Sequence, residues 1–187
     1  MKKSIMILFI VIIFDKSSYA QSGWFWQYPL PQGNHLISAK VINNSIAFAT
    51  GNCGTIIKTT NSGQNWLIVR TESKFLNVGV DFLNENTGWV ASSGDGTPCC
   101  YPSKVLKTTN GGLDWIEKFI PGSSYLYSIE FPTLDTGYLT ITNGYAGFIY
   151  KTTDSGNNWN SVYSNQGKLM YNTFFFNSTI GFGCGSP

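Results

Sequence analysis

The stretch Lys-Thr-Thr-Asn-Ser-Gly-Gln-Asn-Trp at residues 58–66 recurs as Lys-Thr-Thr-Asn-Gly-Gly-Leu-Asp-Trp at 107–115 and as Lys-Thr-Thr-Asp-Ser-Gly-Asn-Asn-Trp at 151–159. The tryptophans that end the three copies lie 49 and then 44 residues apart. Each copy stands between two short apolar runs, which is typical of a hairpin with an Asn/Asp-x-Gly turn. A period of roughly 40 to 50 residues is that of one four-stranded propeller blade.

Two further strand signals precede each hairpin. The chain therefore predicts an all-β β-propeller of four-stranded antiparallel blades, with three full blades at about residues 36–70, 75–119 and 126–164. A lone outer strand is expected at 24–28, and a partial blade with two inner strands at 169–187. Because single blades cannot bury their faces, we interpret the chain as a fragment of a larger, about seven-bladed ring. A self-pairing oligomer and an open solenoid are the alternatives.

The first twenty residues have the pattern of a signal peptide. Lys2 and Lys3 are followed by ten apolar residues at 5–14 and by small residues before Gln21. The mature chain, residues 21–187, is thus expected to be exported and secreted, periplasmic or at the cell surface. It has nine basic and nine acidic residues, so we expect neither nucleic-acid binding nor membrane insertion. The sequence does not predict an oligomeric state.

The cysteines predict structural disulfides. An oxidising compartment allows the four thiols to pair in three ways, and the sequence leaves the pairing open. The cysteines are Cys53, Cys99, Cys100 and Cys184. A metal site is poorly supported, because His35 is the single histidine and no Cys-x-x-Cys occurs. We expect no metal and no cofactor.

The residues of the repeated stretch are interpreted as a structural turn. The Asn or Asp accepts hydrogen bonds from backbone amides two residues on, the Thr hydroxyl reinforces them, the Gly has a positive φ, and the Trp fills the gap between blades. The residues given these roles are Thr59, Asn61, Gly63, Trp66, Thr108, Asn110, Gly112, Trp115, Thr152, Asp154, Gly156 and Trp159. A ligand site for sugar or Ca²⁺ is the alternative.

The pattern Thr-x-Asn/Asp-x-Gly-x-x-Trp resembles the Asp-box, or bacterial neuraminidase repeat, of sialidases, some endoglucanases, sortilin and photosystem II assembly/stability factor-like proteins. The phrases at 51–63 and 82–90 look most like the last of these families, and the resemblance covers essentially the whole mature chain. It implies a secreted propeller in which the repeated turns lie on the periphery, away from the working face. The arginines of the basic surface in the assembly factors are absent here, so a photosystem role does not carry over.

Two enzyme hypotheses can be weighed. Sialidases bind the substrate carboxylate with three arginines, and Arg70 is the single arginine here, so sialidase activity is not expected. A glycoside hydrolase needs two carboxylates across a cleft, and Asp81 and Glu130 occupy similar places on successive inner strands. Catalysis by this pair is the alternative hypothesis.

The preferred hypothesis is a non-catalytic binding or scaffold module. We expect it to present loops to a protein or glycan partner. The candidate loops are the insert at 99–102 and the segment at 143–147, because each carries an aromatic residue.

Overall fold

The computed structural model describes residues 32–94, 102–120, 122 and 125–186. Within them, polar and glycine-bearing turns separate short β-rich runs, and every run forms a strand. The predicted signal peptide and the predicted outer strand at 24–28 lie outside the described residues. The described part of the chain contains no helix that could cross a membrane.

The strands form three four-stranded antiparallel sheets and a final two-stranded sheet, each in chain order. The first sheet contains β1 (Leu36–Val41), β2 (Ala47–Gly51), β3 (Ile56–Thr59) and β4 (Leu67–Arg70). The second contains β5 (Phe75–Phe82), β6 (Gly88–Gly94), β7 (Lys104–Thr108) and β8 (Ile116–Phe119). The third contains β9 (Tyr125–Glu130), β10 (Gly137–Thr142), β11 (Ala146–Thr152) and β12 (Asn160–Gln166), and the last contains β13 (Met170–Phe175) and β14 (Gly181–Gly185). The predicted all-β architecture of four-stranded antiparallel blades is confirmed.

The core lies between consecutive sheets, where the same aromatic stack recurs. Phe82 of β5 stacks on Phe48 of β2 with ring centroids 3.9 Å apart, and the Phe131 ring stacks on Trp89 at 3.6 Å. Tyr138 and Phe175 form the third stack, also at 3.6 Å. We call the first strand of each sheet its inner strand. Each stack joins the second strand of one sheet to the inner strand of the next, or to the residue directly after it, so the sheets bury their faces against one another.

The tryptophan of the repeated turn completes two of these stacks. Trp115 meets Phe82 edge to face at 6.3 Å, and Trp159 meets Phe131 in the same way at 5.8 Å. Aromatic pairs with this geometry stabilise by about 0.5–1.5 kcal/mol beyond the area that they bury. Trp115 and Trp159 therefore pack between neighbouring sheets.

A glycine makes room for the ring of Phe82, and another makes room for the ring of Phe131. A Cβ on Gly88 would lie 2.4 Å from the Phe82 ring, and one on Gly137 would lie 2.5 Å from the Phe131 ring. In the first sheet the corresponding pair is Val41 opposite Ala47. In the second and third sheets the glycine and the ring thus share one volume.

The repeated turns are held by their own side chains. Gly63 N–H and Asn61 N–H donate to Thr59 Oγ1 at 2.9 and 3.3 Å, and Asn65 N–H donates to Asn61 Oδ1 at 2.9 Å. The same bonds recur around Thr108 and around Thr152. The Asn or Asp oxygen therefore accepts from the amide four residues on, rather than two as expected, and the threonine serves the nearer amides.

The backbone of these turns is left-handed at two consecutive residues. The predicted positive φ is found at Gly63 (80°), Gly112 (88°) and Gly156 (87°). Ser62 and Ser155, which directly precede two of these glycines, also have positive φ values of 59° and 61°. Their amides donate to carbonyls of the turn between the first two strands of the same sheet, so the two turns at this end are tied together.

Candidate functional site

Asp81 lies at the end of β5 and is buried, with its side chain 7% exposed. Its Oδ2 accepts a hydrogen bond from Phe131 N–H of the third sheet at 2.7 Å. Its Oδ1 accepts one from Phe82 N–H at 2.9 Å and pairs with Lys40 Nζ at 2.7 Å. Both carboxylate oxygens are thus committed to bonds within and between the first three sheets.

Glu130 has the equivalent place on β9 and makes the equivalent contact with the final sheet. Both of its carboxylate oxygens lie 3.0 Å from Phe175 N, which donates to them. Burial raises the pKa of Glu130, the Phe175 amide opposes that shift, the nearby Asp81 adds to it, and Lys40 opposes it. Like Asp81, Glu130 fastens its inner strand to the inner strand of the following sheet.

This arrangement does not favour the two-carboxylate hypothesis. A catalytic pair must face a common cleft with room for a sugar and a water. Asp81 instead lies against Lys40, and Glu130 is directed at the backbone of β13. We call Asp81 and Glu130 with their backbone donors the inner-strand clasps.

The single arginine belongs to a four-residue ion network rather than to an anion site. Arg70 Nη2 pairs with the carboxylates of Glu72, at 2.8 Å, and of Glu117. Lys104 Nζ, on a side chain only 1% exposed, lies 2.8 Å from Glu72 and 2.9 Å from Glu117. Burial alone would raise the pKa of Glu72, but hydrogen bonds from Lys104 and Arg70 outweigh it and lower that pKa. The network joins the first two sheets.

A cavity of about 360 Å³ opens at the end of the sheets opposite the repeated turns. Its lining comes from the loops after β2 and β4, the end of β6, and the first residues of β5 and β9. The lining residues are Asn52, Cys53, Ser73, Lys74, Phe75, Leu76, Val78, Ser93, Gly94, Tyr125, Leu126 and Tyr127. Because it is concave and mostly apolar, the cavity has the character of a binding site.

Hydrogen bonds between Ser93 of β6 and the backbone of β9 fix one part of the cavity wall. The hydroxyl of Ser93 accepts from Leu126 N–H at 2.7 Å and also lies 3.4 Å from the Leu126 carbonyl, to which it is able to donate. The ring of Tyr127 meets that of Tyr171 edge to face at 5.4 Å. Burial raises the pKa of the Tyr127 hydroxyl, and Tyr171 and Tyr125 add to that shift. Tyr127 is therefore a neutral, half-buried aromatic wall.

The remaining sequence predictions are only partly within the described residues. Cys53 and Cys184 carry free, exposed thiols in the structure, whereas Cys99 and Cys100 lie outside the described residues, so a disulfide stays a prediction. The described residues hold no cluster of three or more potential metal ligands. His35 contributes its backbone carbonyl, which accepts from Asn52 N–H at 2.9 Å.

The two candidate loops have different outcomes. Most of the insert at 99–102 lies outside the described residues. The segment at 143–147 is a tight turn in which Asn143 Oδ1 accepts from the amides of Tyr145 and Ala146. Tyr145, at the tip of this turn, is 82% exposed.

Sequence reasoning missed the cavity and the clasps. The stacks, in contrast, have a signal that was available: Phe82, Phe131 and Phe175 each stand six residues before a glycine. That pairing of a ring with the residue that makes room for it marks the turn between the first two strands of a sheet. Nothing comparable marks the cavity, because its lining residues come from four separate stretches of the chain.

Four-stranded antiparallel meanders packed face to face in chain order, as in the first three sheets, define the class of a β-propeller. Among solved structures, the chain is similar to one described as YCF48 bound to D1 peptide, with a TM-score of 0.62 and 26% sequence identity over 77% of this chain. In fold the chain is similar to this photosystem II assembly factor, which is a β-propeller. The match spans 45% of the YCF48 chain, less than half of its length.

A second similarity is to an ancestral GH74 enzyme, with a TM-score of 0.54 and 24% identity over 67% of this chain and 18% of that chain. At this identity the likeness concerns the fold alone. No protein-family model matches the sequence, and a search of curated proteins finds no match.

Proposed function

We propose that this chain is an exported, non-catalytic β-propeller module that binds a protein partner through the loops at the end of its sheets opposite the repeated turns. The observation that carries the proposal is the similarity to YCF48, which was solved with a D1 peptide bound. Propellers with related blades serve many activities, so the fold supports binding and does not name the partner. A glycan is the other class of partner that the sequence suggests.

The non-catalytic character rests on the inner-strand clasps. Asp81 and Glu130 are the carboxylates that a hydrolase of this architecture would use, and both accept backbone hydrogen bonds from the next sheet. Asp81 is buried and accepts from two backbone amides and from Lys40, so its carboxylate is held in place and is poorly placed to move a proton. The carboxylate of Glu130 is directed at the Phe175 amide.

One screen separates binding from hydrolysis. The purified protein is tested against a random peptide library, a glycan array and a panel of chromogenic glycosides. We expect peptide binding and no glycoside turnover. Turnover that disappears in Asp81→Asn and Glu130→Gln variants, while the two variants remain folded, would establish the hydrolase instead.

Export is tested separately. The full chain is expressed in a bacterial host, and the culture medium and cell fractions are examined by mass spectrometry. We expect a product that begins at Gln21 outside the cytoplasm. A cytoplasmic product that keeps Lys2 and Lys3 would contradict the proposed export.

A further inference from the structure

Buried polar atoms without a partner concentrate at the seam between the first and second sheets. Five buried side-chain atoms have no hydrogen-bond partner within the part of the chain that the structure describes, and the residues of four of them belong to this seam. One of the four is Arg70 Nε of the ion network, and the other three are the neutral oxygens Thr50 Oγ1, Asn77 Oδ1 and Ser92 Oγ. We call Thr50, Asn77 and Ser92 the polar triad, and each is at most 1% exposed. Unpartnered buried polar atoms are rare in native proteins, so the triad points to a ligand.

The alternation of side chains places two members of the triad in the same seam. Phe48 and Val90 belong to the apolar cluster between the first two sheets. Side chains two residues apart on a regular strand share a face. Thr50 of β2 and Ser92 of β6, each two residues further along, therefore face this seam as well.

Asn77 brings the third oxygen to the same place. It is the partner of Ser92 across β5 and β6, and its Nδ2 donates to the carbonyl of Thr55 in the first sheet at 3.3 Å. That carbonyl also accepts from the amide of Gly51, the residue that follows Thr50, at 3.0 Å. The amide group of Asn77 is thus held beside the end of β2 that carries Thr50.

The ammonium next to the triad is already engaged. Lys104 is the partner of Ser92 across β6 and β7. Its Nζ lies 2.9 and 2.8 Å from the two carboxylate oxygens of Glu72 and 2.9 Å from Glu117. An ammonium group has three hydrogens to donate, and these three contacts use them. The ion network therefore does not supply the partner of the Ser92 hydroxyl.

The equivalent positions between the second and third sheets are apolar. The residues there are Ala91, Leu126 and Ile141, which are at most 2% exposed and belong to one core cluster. They match the triad by position. Two are strand partners directly before the β-bulge of the inner strand, which lies at Val78 in β5 and at Tyr127 in β9, and one is the second residue after the stacked ring of its strand. The fold therefore does not require polar side chains at these positions.

We propose that the polar triad binds an ordered water molecule between the first and second sheets. Water donates to Asn77 Oδ1, which can only accept, and it accepts from or donates to the hydroxyls of Thr50 and Ser92. About three polar partners are usual for a buried water. Water is favoured over a metal ion because the triad has no carboxylate to offset a buried positive charge. The inference goes beyond the proposed function and does not depend on it.

A variant that copies the apolar seam removes the water site. Thr50→Ala, Asn77→Leu and Ser92→Ile together give the first seam the residues of the second, and we call this combination the dry-seam variant. Replacing polar partners together by apolar groups leaves none of the triad atoms buried without a partner. Ser128→Ala is the matched control, because Ser128 is a buried serine whose hydroxyl is already hydrogen-bonded to that of Thr140 at 2.8 Å.

The first measurement is the magnetic relaxation dispersion of solvent deuterons, which counts the water molecules that stay inside a protein for longer than its tumbling time. We expect the dry-seam variant to lose the contribution of at least one such molecule relative to the wild type, and Ser128→Ala to keep it. Circular dichroism confirms that both variants are folded. An unchanged dispersion in the folded dry-seam variant, or an equal loss in Ser128→Ala, would overturn the assignment of a water to the triad.

The second measurement is a crystal structure of the wild-type protein at a resolution that shows ordered water, and it keeps the test valid if the dry-seam variant unfolds. We expect a density peak within hydrogen-bonding distance of Thr50 Oγ1, Asn77 Oδ1 and Ser92 Oγ. A direct hydrogen bond between Asn77 and Ser92 with no such peak would overturn the proposal. A peak with the short contacts and the additional oxygen ligands of a metal ion would overturn water as the ligand.

Discussion

Replacing Asp81 with alanine gives the sharpest test of whether the inner-strand carboxylates are structural. The substitution removes the acceptor of Phe131 N–H and of Phe82 N–H, which belong to residues only 2% and 3% exposed. Water cannot easily replace the carboxylate at either amide. A structural carboxylate predicts a large loss of stability, whereas a carboxylate held in a cleft for catalysis predicts little or none.

The size of the loss follows from the number of amides left without a partner. Each buried donor that loses its acceptor costs about 1–3 kcal/mol, so two of them cost about 2–6 kcal/mol. The ammonium of Lys40 adds little, because its side chain is 42% exposed and can be hydrated. We expect about 3–5 kcal/mol for Asp81→Ala, and about 1–3 kcal/mol for Asp81→Asn, whose carbonyl still serves one amide.

The assay is urea unfolding followed by tryptophan emission, with the m-value as a check that the same surface unfolds. Asp135→Asn is the control, because Asp135 is exposed in the turn between β9 and β10. Its replacement should lower the free energy of unfolding by less than about 0.5 kcal/mol. An Asp81→Ala variant as stable as Asp135→Asn would show that the clasp does not hold the sheets together.

Three further predictions concern pH and packing. Burial raises the pKa of Glu130, so its protonation favours folding below the ordinary pKa of 4.5, and this stabilisation is lost as the pH rises through the raised value. The Glu130→Gln variant can still accept from Phe175, and its free energy of unfolding in urea should change less with pH over this window. The Asn158 backbone amide and side chain, with the Thr152 hydroxyl, lower the pKa of Asp154 to about 2. The ionised carboxylate therefore stabilises the fold above pH 3.8, and this stabilisation is lost as the pH falls towards 2. The Asp154→Asn variant should lose less stability than the wild type between these pH values, and an equal loss in both proteins would contradict this. Gly88→Ala should cost about 1–3 kcal/mol by overpacking, whereas Gly33→Ala, with open space around it, should cost almost nothing in the same unfolding assay.

The repeat was sufficient to predict the fold because a local signal and a global spacing agree in it. The Asn/Asp-x-Gly turn predicts a hairpin, and the distance between the tryptophans fixes how many strands separate successive hairpins. The four-stranded sheets of the structure are built on these hairpins. Which amide each turn side chain would bind was harder to predict, since Thr59 and Asn61 are competing acceptors within one loop.

The candidate site could not be predicted in the same way. The roles of Asp81 and Glu130 depend on the backbone of the following sheet, about fifty residues further along the chain. The bulges at Val78 and Tyr127 leave no mark in the local sequence, because neither is a glycine and neither interrupts an apolar run. The hydrogen bonds of Asp81 and Glu130 join neighbouring sheets, so no pattern within one sheet predicts them.

The exchange of side-chain volume between the first two strands of each sheet has a consequence for rearranging the repeats. Phe82 stands opposite Gly88 and stacks on Phe48 of the preceding sheet, whereas Val41, at the equivalent place in the first sheet, stands opposite Ala47 and is 69% exposed. A ring at position 41 would meet the Cβ of Ala47, since a Cβ on Gly88 would lie 2.4 Å from the Phe82 ring. A copy of the first sheet could therefore take an interior place only if Val41 and Ala47 changed together, so the unit that is inherited and engineered at this position is the pair.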